Sequence, residues 1–363
     1  MSVVLAGGGT AGHTSPLIAT AERIRALAPD VTLTCVGTPK GLESRVIPQA
    51  GLELELIPPV PLPRRPTPEL ALVPARLAGA VRQARAILRA TAAEVVVGFG
   101  GYVALPAYLA ARTMGIPVVL HEQNAVPGLA NKVAARFAAR VAVTFPGTRL
   151  PRAEVVGLPV RAAIVGLDRD AVRPAARAAF GLPADGPVLL VSGGSQGARS
   201  LNQATAGAIE RLLAAGVSVL HVLGAANMSD EWTARDAGGA AYRPLAYVDG
   251  MENAYAAADL MLGRSGAGTV TETAIVGLPT IFVPLPHGNG EQAENGRFLV
   301  EAGAAIQLRD ADLDADTLVA QVTALVRNPD RLALMSNTAR GLVPRAAADT
   351  LAQIVLGLTG RGR

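Results

Sequence analysis

Aromatic side chains make up only 3% of this 363-residue chain and charged ones 17%, and the lysines are Lys40 and Lys132 alone. So few rings leave no platform on which single-stranded nucleic acid could stack. Basic residues number 33 against 29 acidic, a net +4, too small an excess to point to a nucleic-acid partner. A single cysteine, Cys35, excludes an internal disulfide and any cysteine-cluster metal site, and it fits a reducing cytoplasm. The four histidines (His13, His121, His221, His287) are far apart, and no Asp-x-Asp pair closes a strand, so no metal site is expected. Long apolar runs are missing too. The uncharged stretches Val95–Ala111 and Thr273–Gly290 fall short of the roughly 20 residues a bilayer helix needs, and glycine and proline interrupt both. No transmembrane helix is expected, and Ser2–Ala6 reads as a buried strand rather than part of a secretory signal.

What is present is a 50% apolar chain long enough for two α/β domains. Short β-branched runs alternate with Ala/Leu/Arg segments of helical spacing, the pattern of doubly wound parallel sheets. The pattern occurs twice. "VVLAGGGTAGHTSPLIATAERI" near the start is answered from Val188 by "VLLVSGGSQGARSLNQATAGAIERL". "AEVVVGFGGY" (Ala93–Tyr102) is answered by "ADLMLGRSGAG" (Ala258–Gly268), and "GIPVVLHEQN" from Gly115 by "GLPTIFVPLPHG" from Gly277. Three matched features in one order predict two similar Rossmann-like domains, with their boundary in Pro146–Pro159. The last helix, about Ala346–Leu358, could pack on either.

Two motifs mislead. Gly7, Gly9 and Gly12 satisfy G-x-G-x-x-G, but strand Val31–Val36 ends in Gly37 and Thr38 with no acid for a ribose, so a nicotinamide enzyme is disfavoured. Gly193, Ser195 and Gly197 satisfy G-x-S-x-G, yet a hydrolase elbow would not need a second glycine-rich domain. Phosphate chemistry unifies the loops: a glycine turn into a helix offers unpaired backbone N–H groups and the positive end of the helix dipole. Two such domains describe the GT-B class of glycosyltransferases, with parallel sheets facing an interdomain cleft.

"GGGTAGHTSP", "GFGGYVALP", "HEQNAVPGLANK", "GGSQGAR" and "RSGAGTVTE" together resemble the N-acetylglucosaminyltransferases that make lipid II in bacterial peptidoglycan synthesis. The likeness runs from Val3 through the final helix. It implies an acceptor-side and membrane-side domain of residues 1–160 plus a C-terminal helix of about 342–363, and a UDP-GlcNAc domain of 161–341. It implies inverting transfer of GlcNAc to the C4 hydroxyl of the muramyl sugar of lipid I, without a required cofactor and with magnesium stimulation left open. Another UDP-sugar enzyme of the same architecture, such as a UDP-GlcNAc 2-epimerase or a glycolipid synthase, is the rival reading.

Carried over by motif, His13 is the candidate general base, since imidazole titrates near working pH. Glu122 is the back-up base, although His121 and Glu122 read first as loop-shaping residues. Thr10, Ala11 and Gly12 match a donor-contacting turn, Ala11 standing where glycine is usual. Asn124 would bond the GlcNAc moiety, and Arg161 and Ser195 the UDP phosphates. The backbone of Val248 would read the uracil. Ala267, Gly268, Thr269, Val270, Thr271 and Glu272 form a helix start that supplies N–H groups, with Glu272 on the ribose diol; Gln292 would lie near the sugar hydroxyls. The resemblance also implies a peripheral enzyme on the cytoplasmic face of the cell membrane, with anionic inner-leaflet phospholipid and cell-wall or division proteins as partners. Arg64, Arg65, Arg76, Arg82, Arg85 and Arg89, opposed by Glu69, form the expected membrane patch, beside an apolar stripe of Leu77, Val81, Ala84 and Leu88. Leu70, Leu72 and Val73 precede that stripe.

Overall fold

The computed structural model describes residues 1–60 and 71–360. The chain divides into two compact units, Met1–Arg161 together with the chain from Ala346 onward, and Ala162–Arg345.

The first unit is built on β1 (Ser2–Ala6), β2 (Thr32–Gly37), β3 (Glu53–Leu56), β4 (Val95–Gly98), β5 (Val118–Glu122), β6 (Arg140–Val143) and β7 (Ala153–Val155). All pair in parallel in the order β3-β2-β1-β4-β5-β6-β7. The second contains β8 (Val188–Ser192), β9 (Ser218–Val222), β10 (Arg235–Ala237), β11 (Ala240–Leu245), β12 (Leu260–Gly263), β13 (Thr280–Phe282) and β14 (Ala305–Gln307). Its order is β10-β11-β9-β8-β12-β13-β14, with β10 as an antiparallel edge. Parallel strands covered on both faces by crossover helices read as unbroken apolar runs. Accordingly Val3–Ala6, Val95–Val97 and Val188–Val191 are fully buried. The repeat seen in the sequence is thus a repeat of topology. In each sheet the chain builds outward from the first strand, then crosses to its other side at β4 or β12, creating a switch point beside β1 or β8.

The last helix, Ala347–Leu356, is shorter than its periodicity suggests and packs on the first unit. Its Ala347, Leu351 and Val355 share a core with Leu17, Ala21 and Ile24 of helix Ala11–Leu27. Burying a side chain the size of Leu351 contributes about 1.5–3 kcal/mol. Arg23 Nε also donates to Asp349 Oδ1 at 2.6 Å.

Two expectations change. The segment Pro146–Pro159 contains β7, which continues the first sheet; three residues are too few to show alternation. The division between units falls after Arg161. The apolar stripe beside the arginines is not a lipid-facing surface. Helix Val73–Ala90 turns Ala84, Ile87 and Leu88 into the core of the first unit, with Val81 packed against them and Leu77 half-buried. A single apolar face on a helix gives the period but not what the face meets. Arg76, Arg82 and Arg89 are exposed and Arg85 is half-buried, while Leu72 is exposed and Val73 half-buried. Arg64, Arg65, Glu69 and Leu70 lie outside the described residues.

Candidate active site

In the first unit the switch point brings together the loops that follow β1 and β4. β1 runs through Gly7, Gly8 and Gly9 into helix Ala11–Leu27, with Thr10 as its extended N-cap. The Thr10 carbonyl accepts the N–H groups of His13 and Thr14, both at 3.1 Å. Its hydroxyl does not cap the helix; Oγ1 lies 3.2 Å from His13 Nδ1. On the other side, a β-carbon placed on Gly100 would sit 3.2 Å from His13 Nε2. Glycine is required at Gly101, where φ is +81° and a β-carbon would collide with the Gly8 carbonyl. The imidazole is therefore held between two glycine loops. Burial pushes its pKa below the usual histidine value, opposed by a hydrogen bond with the Gly8 backbone and by the charge of Glu43. A neutral ring at physiological pH is the form that accepts a proton. Of the neighbouring predicted residues, Ala11 is half-buried while Thr10 and Gly12 are exposed.

β5 carries His121 and Glu122 into the loop that holds Asn124. His121 is fully buried, with Nε2 donating to the Gly157 carbonyl at 2.8 Å and Nδ1 accepting from Gln123 Nε2 at 3.1 Å. Burial drives its pKa down to about 4, so it is a neutral brace. Glu122 is 2% exposed. Its Oε1 accepts from Asn124 N–H, and its Oε2 from Gly128 N–H and Asn131 Nδ2, at 2.9–3.0 Å. Tyr108 completes the chain by donating to Asn131 Oδ1 at 2.8 Å. Burial raises the Glu122 pKa despite these donors. Both oxygens are engaged in shaping the 123–128 loop, the work expected of an organiser rather than of a mobile base. Asn124, half-buried, sits at that loop's start.

In the second unit the loop after β8 leads through an exposed Ser195 into helix Arg199–Ala214. Gly197, with φ +72°, lies so close to the Leu223 carbonyl that no side chain fits, and Asn227 Nδ2 ties the loop by donating to Gln196 O at 2.9 Å. Val248 is buried in the turn before helix Met251–Ala257.

Across the switch point, β12 leads into Arg264. Its Nη1 donates to Asp310 Oδ1 (2.6 Å) and to the Val283 carbonyl (3.0 Å), and its Nη2 to Ser200 Oγ (2.9 Å). Ser200 itself donates to Asp310 at 2.6 Å. Burial works against the Asp310 charge, but the Ser200 hydroxyl and Arg264 hold its pKa below the usual carboxylate range. Helix Ala267–Val276 then begins, so Ala267, Gly268, Thr269 and Val270 form its first turn with Thr271 directly after. Glu272 is its sixth residue, beyond the first turn where the helix dipole favours an acid. It is half-buried, and Tyr255 OH donates to its Oε2 at 2.8 Å. Gln292 accepts the Leu285 N–H through Oε1 at 3.0 Å, and Asn295 holds the Ser265 carbonyl at 3.1 Å. Arg161, exposed, is the last residue of the first unit rather than the first of the second.

Each unit thus gathers its predicted residues at the carboxyl edge of its own sheet: His13, Asn124 and Glu122 in one, Ser195, Val248, Ala267–Glu272 and Gln292 in the other. Among the described residues no group of three or more His, Cys, Asp or Glu is placed to hold a metal ion. Sequence reading missed Glu43, Asn131, Tyr255 and the Arg264–Asp310–Ser200 clamp. Position directly after a strand could have singled out Arg264, and Asn131 lies within the motif HEQNAVPGLANK; nothing local marks the others.

The Glycosyltransferase family 28 N-terminal domain model matches residues 3–143, and the C-terminal domain model residues 188–351. A Nocardioides protein named UDP-N-acetylglucosamine–N-acetylmuramyl-(pentapeptide) pyrophosphoryl-undecaprenol N-acetylglucosamine transferase is 57% identical over 99% of this chain and 98% of its own. A Cutibacterium acnes protein of the same name is 58% identical over 98% and 97%. The crystal structure of Acinetobacter baumannii MurG superposes with a TM-score of 0.78 at 28% identity, covering 98% of this chain and 99% of that one. The fold alone is shared with the kitacinnamycin glycosyltransferase, at a TM-score of 0.69 and 18% identity. With both domain models matched and relatives this similar over their whole length, the chain belongs to glycosyltransferase family 28 and, within it, to the UDP-N-acetylglucosamine–N-acetylmuramyl-(pentapeptide) pyrophosphoryl-undecaprenol N-acetylglucosamine transferases.

Proposed function

We propose that this enzyme moves N-acetylglucosamine from UDP-GlcNAc to the C4 hydroxyl of the muramyl sugar of lipid I, giving lipid II and UDP with inversion at the sugar. The observation that carries the reading is the 57–58% identity, over nearly the full chain, to relatives named for that transfer. In the reaction the acceptor O–H breaks as the oxygen bonds the sugar C1, while the C1–phosphate bond breaks and UDP leaves with its electron pair. His13, neutral and braced by Thr10, takes the hydroxyl proton. Asn124, on the loop organised by Glu122, offers an amide donor and acceptor to the GlcNAc hydroxyls. The N–H groups opening helix Ala267–Val276, with Ser195 and Arg161, offset the charge growing on the diphosphate. The backbone at Val248 reads the uracil, and Gln292 presents Nε2 to the sugar. The reading predicts a lipid I analogue whose mass rises by one N-acetylhexosamine only when UDP-GlcNAc is present. An acceptor of unchanged mass would remove it.

Glu272, oriented by Tyr255, takes the ribose hydroxyls. That contact exists in the ground and transition states alike, so Glu272→Ala should raise the donor KM by about tenfold or more and change kcat little. Steady-state kinetics with varied donor checks this; an unchanged KM would place the carboxylate outside the donor site.

The acceptor is membrane-anchored, and no described helix is long and apolar enough to cross a membrane. We place the enzyme peripherally on the cytoplasmic leaflet, held by charge from the outer face of helix Val73–Ala90. Each arginine near an anionic surface contributes about 1 kcal/mol. Neutralising Arg82, Arg85 and Arg89 should therefore weaken co-sedimentation with anionic vesicles about tenfold or more, and salt should do the same. Unchanged sedimentation would put the membrane face elsewhere.

A further inference from the structure

Behind the first glycine loop lies a carboxylate that no step above uses. Glu43 opens helix Glu43–Gln49 and is fully buried. Its Oε2 accepts the Gly9 N–H at 2.7 Å, and its Oε1 accepts the Thr38 N–H at 2.9 Å and the Thr38 hydroxyl at 2.7 Å. Three glycines make room for it: a β-carbon on Gly8, Gly37 or Gly41 would fall on the Glu43 side chain. Gly8 is gripped from both sides, because its carbonyl abuts Gly101 of the second glycine loop. From there the chain passes Gly9 and Thr10 to His13, whose ring rests against Gly100.

Burying a charge is costly, and an apolar side chain could fill this space without needing N–H donors arranged around it. Burial indeed opposes the Glu43 charge, but the Thr38 hydroxyl and the Gly9 and Thr38 amides outweigh it, holding the carboxyl below its usual range. The group is ionised at working pH, and its charge acts on His13.

We propose that Glu43 is a positioning residue of the transfer, its buried carboxylate fixing the Gly8–Gly9 turn against Gly101 so that the His13 imidazole is presented to the acceptor hydroxyl. This rests on His13 taking the proton. Two consequences separate it from a merely structural role. Misplacing a base by a fraction of an ångström slows chemistry without touching donor contacts in the other unit. Removing a neighbouring negative charge lowers the pKa of an imidazole.

The test uses the full-length protein with Glu43→Gln and Glu43→Asp. Glu43→Gln should lower kcat by about 10–100-fold while the affinity for UDP, whose assigned contacts lie almost entirely in the other unit, stays within about twofold. The acid limb of its kcat/KM profile, and the His13 Cε1–H titration by NMR (assigned by its loss in His13→Ala), should both move to lower pH. Glu43→Asp keeps the charge and should restore the titration towards wild type, with part of the rate. If Glu43→Gln does not reach the wild-type fold by circular dichroism, Thr38→Val, which strips one donor from Oε1, should lower kcat in the same selective way by a smaller amount. Wild-type kcat and an unmoved His13 titration in a folded Glu43→Gln overturn the inference, as does an unchanged kcat in Thr38→Val where that variant stands in. Full turnover in His13→Ala would instead remove the reading it rests on.

Discussion

Replacing His13 with alanine is expected to lower turnover by about 10²–10⁴-fold, the range for losing a positioned general base, with UDP affinity changed by less than about twofold. The separation follows from placement. His13 stands on the first helix of one unit, between Thr10 and Gly100, whereas the groups assigned to the uracil, ribose and diphosphate lie almost entirely on the other. Burial holds the imidazole below the usual histidine pKa. The acid limb of wild-type kcat/KM should accordingly fall below the pH at which a free imidazole titrates, since the base is lost only as pH drops through its lowered pKa. Rapid-quench turnover and titration of UDP by calorimetry measure the two quantities separately. Wild-type turnover in the variant would send the proton elsewhere.

The second large effect is on Glu122. Alanine there leaves the N–H groups of Asn124 and Gly128 and the amide of Asn131 facing a void, in a site whose other members, Tyr108 and His121, are fully buried. Asn131 is buried and the two loop N–H groups partly so, and each unsatisfied buried donor costs about 1–3 kcal/mol, so a loss of about 3 kcal/mol is expected. For a unit of this size that corresponds to a melting temperature lower by about 6–12 °C. Activity should fall with the loop, because Asn124 loses its anchor. A role as the general base would instead abolish turnover even in a Glu122→Gln variant that keeps the wild-type melting curve. Differential scanning calorimetry beside kinetics distinguishes the two.

Much of the fold could be read because parallel sheets leave a plain mark. β1, β4 and β8 are nearly continuous apolar runs that lead into glycine loops, and the same order of loops recurs in both halves because both sheets share one topology. The glycine loops were legible for the same reason, since the switch point lies where the chain crosses to the far side of its first strand, after β1 and β4 in one sheet and after β8 and β12 in the other. What stayed hidden depends on distance along the chain. Glu43 reaches back 34 residues to Gly9, and Arg264 reaches 46 forward to Asp310. No local period records either contact. The stripe Leu77–Val81–Ala84–Leu88 failed differently: its spacing was read correctly, but an apolar helix face looks the same whether it meets a sheet or a lipid. The three residues of β7 were too short to carry any period at all.

If the sugar leaves UDP for a lipid-linked hydroxyl, a label placed in that sugar must follow it there. UDP-GlcNAc labelled in the sugar would be incubated with the enzyme and a short-chain lipid I analogue, and all products separated. The label should appear on the acceptor in β linkage, in step with UDP release, and almost none should appear there with His13→Ala. Label recovered as free sugar or as an epimerised nucleotide, with none on the acceptor, would contradict that transfer.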